Sequence, residues 1–251
     1  MLQIVRFNPW PYVASVSGII LGTVVLSTCM HAWPWWLQAL GMLALGACGW
    51  LTVGSLLVSH LIYDRSDWPR GQWLQRALLQ PNPEQMLNVH AGFDETTVRL
   101  RRWLPGAKIT ALDLFDPKVN TECSLLRARA SLPTPPGTLV GSLDAWSVSS
   151  RSQDVVCLLL AAHEFRKSHE RRRLLEQARS TLRISPSACI VLAEHARDAA
   201  NFLAFGPGFL HFHSPATWQR DWEAAGLQSV RAFRVTPFLR VWILQPASTQ
   251  S

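Results

Sequence analysis

Two patterns of apolar positions divide this chain. In the first, apolar residues run almost unbroken: the stretches 12–30 and 35–59 carry no formal charge. Each is long enough to cross a hydrocarbon layer of about 30 Å as a helix. Trp10, Tyr12, Trp33, Trp35 and Trp36 cluster at the ends of these stretches, where indole and phenol rings favour a membrane–water boundary. Pro34 interrupts the chain between them, so the pattern predicts a transmembrane helical hairpin over 1–62. Gly18, Gly22, Gly41 and Gly46 are placed to let two such helices approach closely.

From residue 85 the second pattern takes over, with short apolar runs alternating with helical periodicity. It predicts strands at 86–89, 109–114, 139–140, 154–161, 188–194, 229–235 and 238–244, and helices at 95–104, 117–130, 168–182 and 217–225. Such alternation defines an α/β domain over 85–247, a mostly parallel sheet with helices on both faces. The last two strands leave no room for a crossover helix, so Thr236-Pro237 predicts a terminal antiparallel hairpin. Between the two regimes, in 63–84, Trp68, Trp73 and Leu74 alternate with Arg65, Arg70 and Arg76, a composition suited to an interfacial linker at the lipid headgroup level. Residues 248–251 read as a tail.

Composition sharpens this division. Charged residues are 16% and apolar residues 48% of the chain, against about 25% charged in ordinary soluble proteins. The cause is local: every Asp, Glu, Lys and Arg except Arg6 follows Ile62. Arg6 on one flank of the hairpin, Arg65, Arg70 and Arg76 on the other, and no Lys or Arg in its loop place both termini and the α/β domain on the cytoplasmic side of an inner membrane. The net charge of +7 comes mainly from arginine. No basic run is interleaved with stacking aromatics, and Arg171-Arg172-Arg173, beside Glu170 and Glu176, reads as a solvated helix face; both argue against nucleic acid. The five cysteines lack CxxC spacing and read as free thiols of a reducing compartment. No feature of the sequence sets an oligomeric state.

The chemistry concentrates where strands end. The stretch 86–116, MLNVHAGFDETTVRLRRWLPGAKITALDLFD, has the order strand, glycine turn, helix, strand, acid of a dinucleotide-type βαβ unit, with Asp113 as the acid. Asp94 is placed to cap the helix that follows. His163-Glu164 follow the fourth strand and Glu194-His195 end the fifth, so imidazoles and carboxylates converge where ligands bind open α/β sheets. His163 or His195, with Glu164, suits acid–base work near neutral pH. Together with His211 and His213 these are also ligand types for zinc or iron, although the pattern by itself assigns no metal. Phe205 and Phe209, in the glycine-broken stretch after the fifth strand, and His211 are placed to wall a pocket for an apolar substrate.

In order and spacing, 86–245 resembles the class I S-adenosylmethionine-dependent methyltransferases, specifically their type 11 or quinone-methylase-like group. GAKITALDLFDP is similar to the family's second strand, GSLDAWSVSSRSQDVVCLLLAAHE to its third and fourth, ERRRLLEQARSTLRISPSACIVLAEH to its fifth helix-and-strand unit, and WEAAGLQSVRAFRVTPFLRVWIL to its closing hairpin. The resemblance implies a Rossmann-like seven-stranded sheet and S-adenosylmethionine as cofactor. It assigns cofactor contacts to Asn88, His90, Gly92 and Asp94 in the turn, to Asp113 and Leu114 after the second strand, and to Ser142 and Leu143 after the third. The family's acid-x-Gly-x-Gly-x-Gly turn stands here as Asn88-Val89-His90-Ala91-Gly92-Phe93-Asp94, retaining the central glycine alone. Ser142 replaces an acid, and Asp144 lies two residues beyond it. The function implied is methylation of a hydrophobic small molecule, quinone-, phenol- or lipid-like, beside a lipid bilayer. The eroded turn leaves a second reading open, a cofactor-free scaffold of the same fold that binds a partner.

Overall fold

The structure is a computed structural model; it describes residues 2–132 and 134–247, and the tail 248–251 lies outside the described residues. Helices α1 (Leu2–Phe7), α2 (Pro9–Cys29) and α3 (Trp35–His60) come first, joined between α2 and α3 at Pro34. Both long helices are apolar and long enough to cross a membrane. α2 buries none of its side chains and α3 only Gly54 and Ser59. Ile20, Leu21, Leu43 and Trp50 stand exposed on them. Gly22 and Gly41 serve the close approach: a Cβ on either would lie within 2.8 Å of Leu45 or Leu26 across the pair. Gly18 and Gly46 meet nothing within 4 Å, so they take no part in it.

The α/β domain follows. Among the described residues its sheet has seven strands in the order β3-β2-β1-β4-β5-β7-β6: β1 (Gln85–His90), β2 (Lys108–Asp113), β3 (Leu139–Val140), β4 (Val155–Leu159), β5 (Cys189–His195), β6 (Leu227–Thr236) and β7 (Leu239–Pro246). β1 to β5 pair in parallel, whereas β7 runs antiparallel between β5 and β6. This is the Rossmann-like sheet with a closing hairpin that the sequence pattern predicts. β4 and β5 are buried along their whole length, which is why they read as unbroken apolar runs rather than alternating ones. Helices α4 (Gln72–Ala77), α5 (Thr97–Trp103), α6 (Cys123–Ser131), α7 (Ser168–Thr181), α8 (Ala199–Phe205) and α9 (Pro215–Ala224) complete the order. α6 starts later than its apolar periodicity suggests because the Asp116 carboxylate accepts from Lys118 N and Asn120 accepts from Asp116 N. This side-chain turn competes with helix over 116–120.

Two layers of core flank the sheet. One packs Leu174, Leu175, Trp218 and Trp222 against Val156, Leu158, Ile190 and Leu192. The other packs Trp68, Trp73 and Leu74 against Met86, Leu100, Val155 and Val191. The second layer corrects the headgroup-level reading of 63–84. Trp68, Trp73 and Leu74 are at most 1% exposed, and Trp68 stacks on Trp73 with ring centroids 4.8 Å apart. Their alternation with arginine marks one buried face, not a lipid-facing one. Arg171 is likewise buried rather than solvated, paired with Asp221 between α7 and α9.

The segment after β5 touches the hairpin. Asp198 caps α8 by accepting from Asn201 N, Trp50 Nε1 on α3 donates to Leu203 O at 2.9 Å, and Leu51 occupies the space where a Cβ of Gly206 would lie. Phe202 and Leu203 remain exposed beside α3.

Candidate active site

The turn after β1 is held from within. Gly92 adopts φ +95°, a left-handed conformation that glycine adopts without steric cost. Asp94 Oδ1 accepts from Thr96 N and Thr97 N at 3.0 and 2.9 Å, the predicted cap. Asn88 points inward: its amide donates to Thr96 and Thr97 hydroxyls at 2.9 and 2.8 Å, so it braces the loop. His90 lies buried between Asp94 and Asp113, 3.9 and 3.6 Å away, and burial lowers its pKa. Neither of its ring nitrogens has a hydrogen-bond partner, and the same is true of Asp94 Oδ2 and Asn88 Oδ1.

Asp113 stands at the end of β2, where the sequence places it, with both oxygens engaged. Oδ1 accepts from Gly92 N at 2.9 Å and Phe115 N at 3.0 Å; Oδ2 accepts from Arg129 Nη1 at 2.6 Å. The Arg129 guanidinium lies over the Phe115 ring at 4.3 Å. Phe115 in turn occupies the space beside Gly92, 2.6 Å from where a Cβ would stand. Leu114 is buried in the core, with its N–H donating to His90 O. Ser142 and Leu143 stay apart from these groups. The Ser142 hydroxyl accepts from Ala145 N in its own turn, and Leu143 packs on the core. Asp144 pairs with Arg173 on the surface and does not replace the missing acid.

A cavity of about 330 Å³ opens between the strand ends and the hairpin, within the range of small-molecule sites. The domain contributes Phe93, Glu95, Thr96 and Arg99 from the first loop and helix, Leu159, Leu160, His163 and Glu164 after β4, and His195, Phe205 and Phe212 beyond β5. The N-terminal part contributes Phe7, Tyr12, Ser59, Tyr63 and Asp64. Leu160 sits at φ +54°, a conformation costing an L-residue roughly 1–2 kcal/mol; such strain gathers at functional sites. Phe209 turns away from the cavity to pack edge-on against Phe202, with centroids 5.1 Å apart.

The two histidines at the strand ends differ in charge. His163 Nδ1 meets Glu194 Oε2 at 2.7 Å, and Glu194 Oε1 also accepts from Ala162 N and His163 N. Burial pulls the His163 imidazole down, but the Glu194 carboxylate, through its charge and hydrogen bond, more than offsets this and raises it to about 9. The raised value favours the imidazolium form of His163 at neutral pH. His195 is the opposite case, pushed down to about 4 by burial. Its Nδ1 lies 2.9 Å from Phe238 O; a carbonyl only accepts, so Nδ1 carries the proton and Nε2 is the acceptor. Nε2 therefore receives the Tyr63 hydroxyl at 2.8 Å. Phe212 stacks on the same ring, centroids 4.9 Å apart.

Sequence reasoning missed Glu95, Arg99 and Tyr63. One signal pointed to the last: the chain has two tyrosines, Tyr12 and Tyr63, and both line the cavity.

No described protein family matches the sequence, and no curated protein matches it. The fold, by contrast, is widely shared. A methyltransferase dependent on S-adenosylmethionine from Aquifex aeolicus superposes with a TM-score of 0.51 at 17% identity, over 74% of this chain and 92% of its own. The PH0226 protein from Pyrococcus horikoshii gives 0.51 at 12% identity, over 74% and 95%. The mitomycin 7-O-methyltransferase MmcR gives 0.51 at 14% identity, over 98% and 71%. The α/β domain has the class I methyltransferase fold, preceded by two apolar helices.

The donor set fits the cofactor of that fold at one end and admits it conditionally at the other. Glu95 and Arg99 line the cavity beside the turn, and Arg99 Nη1 is buried without a hydrogen-bond partner. A carboxylate and an unsatisfied guanidinium suit the ammonium and carboxylate of a zwitterionic amino-acid end. At the other end both Asp113 oxygens are taken, Oδ2 by Arg129, so a ribose hydroxyl would reach that oxygen only with Arg129 displaced. Arg129 is a third exposed, so its side chain has somewhere to go.

Proposed function

We propose that the protein is a membrane-held methyltransferase using S-adenosylmethionine to methylate a hydroxyl of an apolar small molecule on the cytoplasmic side of an inner membrane. The observation that carries the proposal is the cavity itself, lined by Tyr12 and Ser59 of the hairpin and Tyr63 just beyond it, together with strand-end residues His163, Glu164 and His195. The exposed apolar faces of α2 and α3 support lipid as their environment, and an acceptor dissolved in lipid would reach the cavity from that side.

In this reading Glu95 and Arg99 hold the amino-acid end of the cofactor, and Asp113 holds the ribose once Arg129 has withdrawn. The cofactor, when bound, supplies an electrophilic methyl group on a sulfonium. Tyr63 accepts the acceptor's hydroxyl proton as it passes its own to His195 Nε2, while Phe238 O fixes the tautomer through Nδ1. His163, as a cation held by Glu194, orients the acceptor oxygen rather than deprotonating it. Phe205 and Phe212 keep the pocket dry.

The test is calorimetric titration of S-adenosylmethionine into the full chain in lipid nanodiscs. Saturable binding is expected, lost in Asp113→Ala and retained or strengthened in Arg129→Ala. No heat at millimolar ligand with folded protein would leave the cofactor-free scaffold as the better account. Gly92 is the wrong residue to probe, because any side chain there collides with Phe115 whether or not a cofactor binds.

A further inference from the structure

Beside the proton-accepting pair lies a cluster that the methyl-transfer scheme does not fully use. His163, Glu164 and His211 each present a ligand atom, and these atoms lie within 4.8 Å of one another. His163 Nε2 is 3.5 Å from Glu164 Oε1, near the separation of roughly 3.4 Å between tetrahedral ligands bound at about 2.1 Å. The imidazoles of His163 and His211 meet edge to face, centroids 5.3 Å apart.

Three further observations point to a cation. Glu164 Oε2 is buried with no hydrogen-bond partner, a costly state for a carboxylate oxygen unless something positive joins it. His163 Nδ1 is fixed by the fully buried Glu194, which leaves Nε2 aimed at Glu164. A carboxylate on the far nitrogen is the usual support of a metal-binding histidine, setting its tautomer and raising its basicity. Charge also favours a divalent ion. Glu164, Glu194 and Glu122, the last 3.7 Å from His211 Nδ1, are offset nearby by Arg166, which donates to the His211 carbonyl, and by His163 until a metal replaces its Nε2 proton.

We propose that His163 Nε2, Glu164 and His211 form a binding site for a divalent first-row transition metal, with Glu194 as the positioning residue behind His163. Two imidazoles and one carboxylate make a three-ligand site of the open type. His163 and Glu164 also line the cavity, so a metal held by them would border it. The site stands apart from the methyl-transfer reading except at His163, whose Nε2 holds either the proton of that scheme or the metal. When loaded, the metal takes the place of the His163 Nε2 proton.

The experiment uses full-length protein in detergent, stripped with a chelator and titrated with zinc(II) by calorimetry and with cobalt(II) by visible absorption. The expected result is saturable uptake of about one ion per chain. Glu194→Gln should weaken it by about 10–100-fold, and His211→Ala and Glu164→Ala by more. His169→Ala, on the exposed face of α7, should leave it unchanged. Absence of saturable uptake, or equal affinity in wild type, His211→Ala and Glu164→Ala, overturns the site. If a variant fails to fold, X-ray absorption of wild-type protein loaded with cobalt decides: imidazole nitrogens in the first shell support the site, and an all-oxygen shell overturns it. Titration of S-adenosylmethionine into the same samples keeps the two proposals apart.

Discussion

Replacing Asp221 with alanine should lower the stability of the α/β domain by about 3–5 kcal/mol, the cost of leaving one partner of a buried ion pair alone. Arg171 Nε donates to Asp221 Oδ2 at 2.6 Å, and both side chains are 3% exposed. Ser168 Oγ donates to the other carboxylate oxygen at 2.6 Å. The pair does more than join α7 to α9. Arg171 Nη1 donates to Phe165 O and Arg166 O at 3.0 and 2.7 Å and lies 3.1 Å from His213 Nε2. It thereby anchors the loop that follows His163 and Glu164. Burial lowers His213 to about 3, with help from Arg171 and other nearby positive charge, so its Nε2 stays free to accept. Removing Asp221 strands a guanidinium in the core. Denaturant unfolding in detergent measures the loss, and the double variant Arg171→Met/Asp221→Leu should recover part of it: no charge is then left unpaired, although Phe165 O, Arg166 O and His213 Nε2 lose their donor. A loss below about 1 kcal/mol in the single variant, the range of an exposed pair, would contradict this account.

The second large effect is catalytic. Tyr63→Phe should reduce kcat by about 10²–10⁴, the usual contribution of a positioned acid–base group. The variant keeps the ring, which lies edge-on to His195 with centroids 6.2 Å apart, and removes the hydroxyl alone. Affinity for S-adenosylmethionine should therefore be unchanged, and the loss should appear in turnover of a lipid-soluble phenol. The pH profile gives an independent reading. His195 must be neutral to accept a proton, and burial has pushed it down to about 4. Activity should accordingly persist below pH 6.5, where an ordinary histidine base would already fail, and fall only as pH approaches 4. Unchanged kcat in Tyr63→Phe would remove the relay and leave His163 to be reconsidered.

These two sites differ in how far the sequence exposes them. Asp113, Gly92 and the Asp94 cap were legible because a strand, a turn and an acid about 20 residues on form a local pattern with one geometric meaning. Glu194 was visible as a strand-end acid, but not as the group that charges His163. Tyr63 was hidden by distance: it meets His195 across 132 residues of chain, and no local periodicity encodes such a contact. Arg171 was hidden by its neighbours. Three consecutive arginines look solvated, yet on a helix they point in different directions, and this one faces α9. Trp68, Trp73 and Leu74 show the same ambiguity, since an aromatic stripe alternating with arginine fits a lipid surface and a domain core equally well.

The sequence by itself determined the two uncharged helices, the alternation that builds the seven-stranded sheet and its closing hairpin, and the collection of histidines and carboxylates at the strand ends. All of these follow from the periods of helix and strand and from chain length, which act locally. Only the tertiary structure decided which groups meet. It set Arg129 against Asp113, Glu194 against His163, and Tyr63 against His195. It also closed the cavity with residues from the hairpin. Charge state and partner depend on burial and on distances of a few ångströms, and these arise only when remote segments pack.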